Sequence, residues 1–411
     1  MHLGKLSEHD LIMFLLGLVI MLISAIIMGT ISEKLRLTKL IGQLLAGVIL
    51  GPTVLGTIFP HIGEILYETG RNFRILDAIF NLSTIMLLFV AGLEIKTSLI
   101  LKYIKPVIWV NLFGTIIPFI CGFALAWYQP QIFLQTQVNL VFSLFIGTAL
   151  SISALPVIAT ILTDTNIIKT KVGGIILTSA MLTDIIGWML FSSIIKLHKS
   201  ETIGLSFLKT VGLHLCILFV VAYLVSLLAN RCIPWIKQKQ SRARSMLPLS
   251  ICAALLAAAF SQFIELHASL GAFIAGIVFS KLLDTNEEAK QSIEEFVVNF
   301  FTPLFFVSIG LKTNFINDFN LATTLLLILI ACFSKIIGAS LGALVGGLNK
   351  FEALVVGCGM NARGAMEIIL SSLALSYGII SPTLFVSFVI MALVTSMISM
   401  PALAILKPRI T

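Results

Sequence analysis

Four ionisable side chains stand inside otherwise apolar stretches of the sequence: Asp184, Lys335, Arg363 and Glu367. A charged side chain at the centre of a membrane helix costs about 2.5–3.5 kcal/mol on insertion scales. Such residues rarely face lipid and mark ion pathways or proton relays. These four residues are therefore the first candidates for function.

Arg363 and Glu367 are four residues apart, so they share one face of a helix and can neutralise each other. We expect a structural or gating ion pair. Asp184 and Lys335 differ, because neither has an opposite charge within one turn of its own helix. Each is the obvious partner for the other. Such an ion pair would simply hold the two helices together, which we call a helix lock.

A second role for Asp184 is more specific. Burial disfavours the charged form of a carboxyl group and of an amine, so each must be neutralised by a proton, an ion or a partner. We predict that Asp184 binds H⁺ or an alkali metal ion, Na⁺ or K⁺, in preference to the simple lock. Lys335 is then the charge-compensating base.

Two segments contain residues that interrupt helices. They are "GTALSISALPVIA" (147–159) and "GCGMNARGAME" (357–367). Pro and Gly can merely kink a membrane helix, but transporters use unwound helices near the midplane to present carbonyls and helix ends to ions. We predict discontinuous helices that cross, and we expect Thr183, Ser153 and backbone carbonyls to supply oxygens beside Asp184. The residues predicted at the crossing are Ser151, Leu155, Pro156, Asn361 and Gly364.

The composition indicates a membrane protein. Of the 411 residues, 58% are hydrophobic and only 11% charged, whereas soluble domains have about 25% charged residues. Apolar runs recur along the chain, and their length is close to the roughly 20 residues that a helix needs to span a bilayer. We predict an all-α polytopic protein with about 13 spans, at 11–29, 37–59, 75–93, 106–128, 138–163, 171–196, 205–229, 246–264, 267–283, 296–311, 321–347, 351–378 and 382–406.

The net charge of +8 comes mainly from Lys and Arg in the loops, and it does not indicate a nucleic-acid-binding surface. Lys and Arg are concentrated in the odd-numbered connections, which predicts an N-terminus outside and a C-terminus in the cytoplasm. We expect a multi-pass protein of the cell (inner) membrane. The acidic stretch 284–295 predicts an amphipathic helix that leads into the next span.

The sequence lacks the motifs that mark several other classes of function. The six cysteines form no CxxC motif, which argues against a disulfide framework and a zinc site. The chain has no HExxH, no GxSxG and no filter repeat, so we expect neither an enzyme nor a channel. No cofactor is implied.

Six stretches resemble the monovalent cation:proton antiporter-2 family, which includes sodium/proton antiporters, Kef-type systems and plant cation/proton exchangers. The stretches are "LLAGVILGPTVLG" (44–56), "LLFVAGLEI" (87–95), "ALSISALPVIATILTDTNIIKTKVGGIILTSAMLTDIIGWML" (149–190), "LGAFIAGIVFS" (270–280), "FFTPLFFVSIGLK" (300–312) and "MNARGAMEIIL" (360–370). The resemblance implies an inverted-repeat antiporter fold, usually a homodimer. Its ion-binding aspartate falls on Asp184 and its basic residue on Lys335.

The family's domains map onto the chain as follows. The core transport domain comprises 106–197 (spans four to six) and 321–411 (spans eleven to thirteen). The dimerisation domain comprises 1–105 and 231–320, and span seven (198–230) connects the two.

The resemblance also bears on stoichiometry. Two adjacent Asp in this family accompany electrogenic exchange, and Asn-Asp accompanies electroneutral exchange. Thr183-Asp184 is neither, and Thr183 cannot carry a proton across. We predict electroneutral exchange of Na⁺ or K⁺ for protons by alternating access. The alternative is a sodium-coupled symporter of a small organic anion, with Arg363 at the anion site. The expected partners are the cation, the proton, the lipid bilayer and a second copy of the chain, and a separate regulatory subunit stays open.

Overall fold

The computed structural model describes residues 8–34, 39–59, 70–94, 103–133, 137–200, 212, 243–263, 268–283, 287–311 and 313–406. Every regular element within these ranges is helical. In chain order the α-helices are α1 (Glu8–Lys34), α2 (Lys39–Leu50), α3 (Leu55–Ile58), α4 (Gly70–Leu93), α5 (Ile104–Tyr128), α6 (Leu140–Ser151), α7 (Leu155–Asp164), α8 (Lys171–Ser200), α9 (Ala243–Phe263), α10 (Ala268–Leu283), α11 (Glu287–Phe296), α12 (Thr302–Leu311), α13 (Leu321–Val345), α14 (Lys350–Met360), α15 (Ala365–Ser376) and α16 (Pro382–Leu406).

Eight helical segments in the described ranges are long and apolar enough to cross a membrane, and the bent pair α14–α15 makes a ninth. Helices satisfy their own backbone hydrogen bonds, which lipid cannot do for them. The predicted all-α polytopic class is confirmed. The predicted seventh span, 205–229, lies outside the described residues, apart from residue 212.

Two predicted spans differ in detail from the helices. The second predicted span, 37–59, consists of α2 and the short α3, with a turn at 51–54 that contains Pro52. The tenth, 296–311, begins with a π-helical segment, Val297–Phe301, between α11 and α12. A π segment inserts one residue into the α-helical pattern, which hydrophobic periodicity does not reveal.

The chain divides into two compact units. The first comprises residues 1–93, 233–262 and 271–319. Within it, glycines bring α2 and α12 close together, since a Cβ atom on Gly47 would overlap the main chain of Val307. Small residues permit this kind of close helix contact in membranes.

The second unit comprises residues 94–232, 263–270 and 320–411. It contains two helical triplets, α5, α6–α7, α8 and α13, α14–α15, α16, and the middle helix of each is interrupted. The helices α6, α13 and α14 begin at asparagine N-caps whose side chains accept a backbone N–H three residues on: Asn139, Asn320 and Asn349.

Glycines also fix how α5 packs on α13. A Cβ atom on Gly338 would meet the carbonyl of Phe113, and one on Gly342 would overlap Trp109. The two backbones therefore lie in direct contact, as is common for small residues in membrane helices. This contact sets the position of Lys335, which α13 carries three residues before Gly338.

Candidate ion-binding site

The first helix break separates α6 from α7. Helix α6 ends at Ser151, Ile152 has extended backbone angles (φ −80°, ψ 148°), and α7 begins at Leu155. Proline lacks the N–H that a residue inside a helix donates to the carbonyl four residues earlier, but it is tolerated in the first turn of a helix. Pro156 stands in that first turn. The sequence thus allows α7 to start there while α6 cannot run into it.

The second break separates α14 from α15, which are bent by 44°. Helix α14 ends at Met360 and α15 begins at Ala365. Gly364 lies against α7, where a Cβ atom would overlap the side chain of Val157. Glycine at this position lets the second break approach the first.

The two breaks are joined by hydrogen bonds. The backbone N–H of Ala154 donates to the carbonyl of Ala362 at 3.1 Å. The hydroxyl of Ser153 donates to the carbonyl of Met360 at 2.6 Å. Asn361 is buried beside them, with its Nδ2 3.5 Å from the sulfur of Cys332. The breaks therefore cross and hold each other in place.

Two buried cations cap the end of α6. Lys335 donates from Nζ to the carbonyls of Gly114, at 2.8 Å, and Ser151. Arg363 donates from Nη1 to Ala149, at 2.8 Å, and from Nη2 to Leu150. The last four carbonyls of a helix lack intrahelical partners, and positive charge is favourable at that end. The cations therefore satisfy three consecutive carbonyls that the break leaves open.

Arg363 also pairs with Glu367. Its Nη1 lies 3.2 Å from Oε1 of Glu367, and both side chains are almost fully buried. The second carboxylate oxygen, Oε2, has no hydrogen-bond partner. Both terminal nitrogens of Arg363 thus bond to protein groups, whereas its Nε has no hydrogen-bond partner.

Asp184 is 1% exposed, in the middle of α8. Neither carboxylate oxygen has a hydrogen-bond partner. The backbone N–H of Leu155 lies near the carboxyl group without forming a bond of normal geometry, and the charges of Glu94 and Lys335 also act on it. Buried polar oxygens are seldom left without partners. This carboxyl group is therefore ready to take up a proton or a cation.

The alternative helix lock, in which Asp184 and Lys335 pair with each other, does not form in this conformation. Lys335 is 0% exposed and directs its ammonium group to main-chain carbonyls instead. The two charges act on each other through space.

Thr183 lies next to Asp184 and is equally buried. Its hydroxyl is 2.9 Å from Oδ1 of Asn111 on α5 and 2.8 Å from the carbonyl of Ser179. Asn111 is not among the residues predicted from the sequence, because it carries no charge and lies outside the two helix-breaking segments. A single asparagine in the apolar run 106–128 was the available signal.

Glu94 was missed as well. It follows the last residue of α4, within a stretch that resembles the antiporter family, and its charge acts on Asp184. Glu94 lies one residue beyond the predicted third span, 75–93, and so it counts among the loop residues.

Comparison with known proteins identifies the family. The profile described as "Sodium/hydrogen exchanger, transmembrane" matches residues 19–406. The chain belongs to this exchanger family. The resemblance to monovalent cation:proton antiporters is thereby confirmed.

The relatives within the exchanger family share low sequence identity with this chain but match nearly its whole length. The chain is 30% identical to Cation/H(+) antiporter 17 of Arabidopsis thaliana over 98% of its own length and 49% of the relative. It thus spans about half the length of that plant protein. The Na(+)/H(+) antiporter NhaS4 of Synechocystis is 29% identical over 98% of this chain and 99% of its own length.

A solved structure shares the exchanger fold. The sodium proton antiporter MjNhaP1 of Methanocaldococcus jannaschii matches 98% of this chain and 99% of its own, with a TM-score of 0.75 at 17% identity. The predicted inverted-repeat antiporter fold with discontinuous helices is confirmed at this level.

Proposed function

We propose that this protein exchanges a monovalent cation, Na⁺ or K⁺, for protons across the membrane by alternating access. The observation that carries the proposal is Asp184, a fully buried carboxyl group with two unpartnered oxygens beside two crossing helix breaks. Family membership and the names of the relatives support the same activity. The proton and the cation compete for the one carboxylate.

The proposed ligands beside Asp184 are the hydroxyl oxygens of Thr183 and Ser153 and backbone carbonyls at the breaks. Hard cations prefer oxygen, and a hydroxyl can coordinate a cation only through its lone pairs, so its proton must point elsewhere. Ser153 donates its proton to Met360, and Thr183 has two acceptors for its own. Both hydroxyls thus keep lone pairs for a cation at Asp184. Backbone carbonyls at the breaks complete the set.

Coupling follows from the cost of burial. An uncompensated carboxylate in a low-dielectric interior costs several kcal/mol, so the empty, ionised site does not cross the membrane. The charge of Lys335 offsets only part of this cost, because its ammonium group bonds to the end of α6 and forms no hydrogen bond to Asp184. The site crosses with either a proton or a cation bound.

One carboxylate that exchanges one proton for one cation gives a 1:1, electroneutral cycle. One pH unit supplies about 1.4 kcal/mol per proton, which balances a tenfold cation gradient. Membrane potential then contributes nothing, because no net charge moves.

We further propose that the unit containing 94–232 and 320–411 carries the ion, since Asp184, Lys335 and Arg363 all belong to it. The other unit would form the interface of a homodimer. The proposed setting is a cell membrane, with the N-terminus outside. A regulatory subunit on a separate chain is compatible with this arrangement.

The test is cation-dependent dissipation of a pH gradient in proteoliposomes on addition of Na⁺, K⁺ or Li⁺. Wild type is compared with Asp184→Asn and with the control Asp318→Asn, in the connection before α13. We expect exchange to disappear only in Asp184→Asn. Exchange by Asp184→Asn at the wild-type rate would show that the site is wrong. A folded wild type that responds to no cation would favour the organic-anion symporter.

A further inference from the structure

Asn111 is a buried amide in the middle of α5, a helix that carries no ionisable side chain of the site. It is 6% exposed. Its Nδ2 donates to the carbonyl of Val107 at 3.0 Å. Its Oδ1 lies 2.9 Å from the hydroxyl of Thr183 on α8. A polar side chain in an apolar span is costly unless its hydrogen bonds are made, and both ends of this amide have a partner.

The bond to Val107 fixes which end of the amide faces Thr183. If the amide were reversed, Oδ1 would meet the carbonyl of Val107, and two acceptors would oppose each other. Oδ1 of Asn111 is therefore an acceptor for the Thr183 proton. The carbonyl of Ser179 is the second acceptor, at 2.8 Å.

The Thr183 hydroxyl has one proton and two neighbouring acceptors, neither of which can donate to its oxygen. Its proton is thus held on the side of Asn111 and Ser179, and its lone pairs receive no hydrogen bond from either. A hydroxyl whose proton is held in this way can coordinate a cation through its lone pairs.

The same face of α5 also fixes Lys335. The carbonyl of Gly114, three residues after Asn111, accepts a hydrogen bond from its Nζ. Residues three apart are neighbours on a helix surface. One face of α5 therefore contacts both the residue before Asp184 and the compensating base.

We propose that Asn111 is a positioning residue that determines cation affinity and selectivity by orienting the hydroxyl of Thr183. This inference rests on the exchange at Asp184 proposed above and extends it to a residue on another helix. Because Ser179 remains as a second acceptor, loss of Asn111 weakens cation binding without abolishing exchange. One neutral hydrogen bond corresponds to an increase of about three- to tenfold in the cation KM.

The experiment is a double-mutant cycle in proteoliposomes. The variants are Asn111→Leu, Thr183→Val and the double substitution, with the KM and maximal rate measured for Na⁺, K⁺ and Li⁺. Thr115→Val is the matched control, because it removes a buried, unpartnered hydroxyl from the same helix. Asn111→Ala serves as a second truncation if Asn111→Leu does not fold.

We expect Asn111→Leu to raise the KM of the preferred cation about three- to tenfold and to change the ratios among the three cations, at a nearly constant maximal rate. In the Thr183→Val background the same substitution should have little further effect, because there is no hydroxyl to orient. Thr115→Val should leave the ratios unchanged.

Two outcomes would overturn the inference. One is unchanged KM values in Asn111→Leu. The other is an equal effect in both backgrounds, which is the result of a general packing defect. Either outcome leaves the proposed exchange intact if Asp184→Asn is inactive, whereas activity of Asp184→Asn would reject the exchange site itself.

Discussion

Lys335 donates a hydrogen bond to the carbonyl of Ser151, the last residue of α6, and none to the carboxylate of Asp184. The lysine thus stabilises the end of an interrupted helix in this conformation. A helix that stops inside a membrane leaves carbonyls that lipid cannot satisfy. The ammonium group meets that need and places a positive charge near Asp184 as well.

Substitution of Lys335 by Met should destabilise the protein more than it changes the chemistry of exchange. The carbonyls of Gly114 and Ser151 would lose their donor, at a cost of about 1–3 kcal/mol for each unsatisfied group. We expect a clear fall in Tm, measured by intrinsic fluorescence in detergent, with residual cation-dependent exchange. Lys350→Met, at the exposed start of α14, is the control. An unchanged Tm would contradict the capping role.

Substitution of Arg363 should destabilise the protein more than substitution of its partner Glu367. Arg363→Met leaves a buried, unpaired carboxylate and two open carbonyls, for which we expect a loss of about 3–5 kcal/mol. Glu367→Gln retains an acceptor for Nη1, and the bonds from Arg363 to Ala149 and Leu150 remain. Its cost should be about 1–2 kcal/mol. Comparison of the two Tm values decides the point, and equal losses would mean that the ion pair, not the helix cap, is the main role of Arg363.

Gly364→Ala should disturb the crossing of the breaks, because its Cβ atom would overlap the side chain of Val157. Overpacking typically costs about 1–3 kcal/mol. We expect a lower Tm together with a lower exchange rate. Gly17→Ala in α1 is a matched control, since its Cβ atom would have no neighbour within 4 Å. If both variants behaved like wild type, the close approach at Gly364 would not matter for transport.

Competition at Asp184 predicts a characteristic pH dependence. A protonated carboxyl group cannot bind the cation, so lower pH must weaken cation binding. Once the free site is mostly protonated, each further fall of one pH unit should raise the cation KM about tenfold, whereas saturating cation should still displace the proton. KM values measured at several pH values, equal on both sides of the vesicle membrane, test this. A KM independent of pH would mean that the cation and the proton bind at different groups.

The fold was largely predictable because its signals are carried by residue type. Apolar runs of membrane-spanning length, and Pro and Gly at 156 and 364, indicate where helices cross lipid and where they stop. Asp184, Lys335, Arg363 and Glu367 stood out for the same reason, since charge inside an apolar run is recognisable without a structure.

The hydrogen-bond partners could not be predicted in the same way. Lys335 and Arg363 bond to main-chain carbonyls, which every residue possesses, so no residue type marks the acceptors. Asn111 escaped notice because a neutral amide is not distinguished by charge. The π segment Val297–Phe301 likewise depends on local backbone geometry, not on composition.

Ser153 and Met360 are separated by 207 positions in the chain, yet one hydrogen bond joins them. A similar bond joins Ala154 to Ala362. The acceptors are main-chain atoms, which no substitution removes, so natural variation at one break is constrained chiefly by whether the backbone opposite keeps its shape. Side chains at 360–362 are therefore expected to vary without loss of these two bonds, whereas Ser153 contributes the one side-chain group on which they depend.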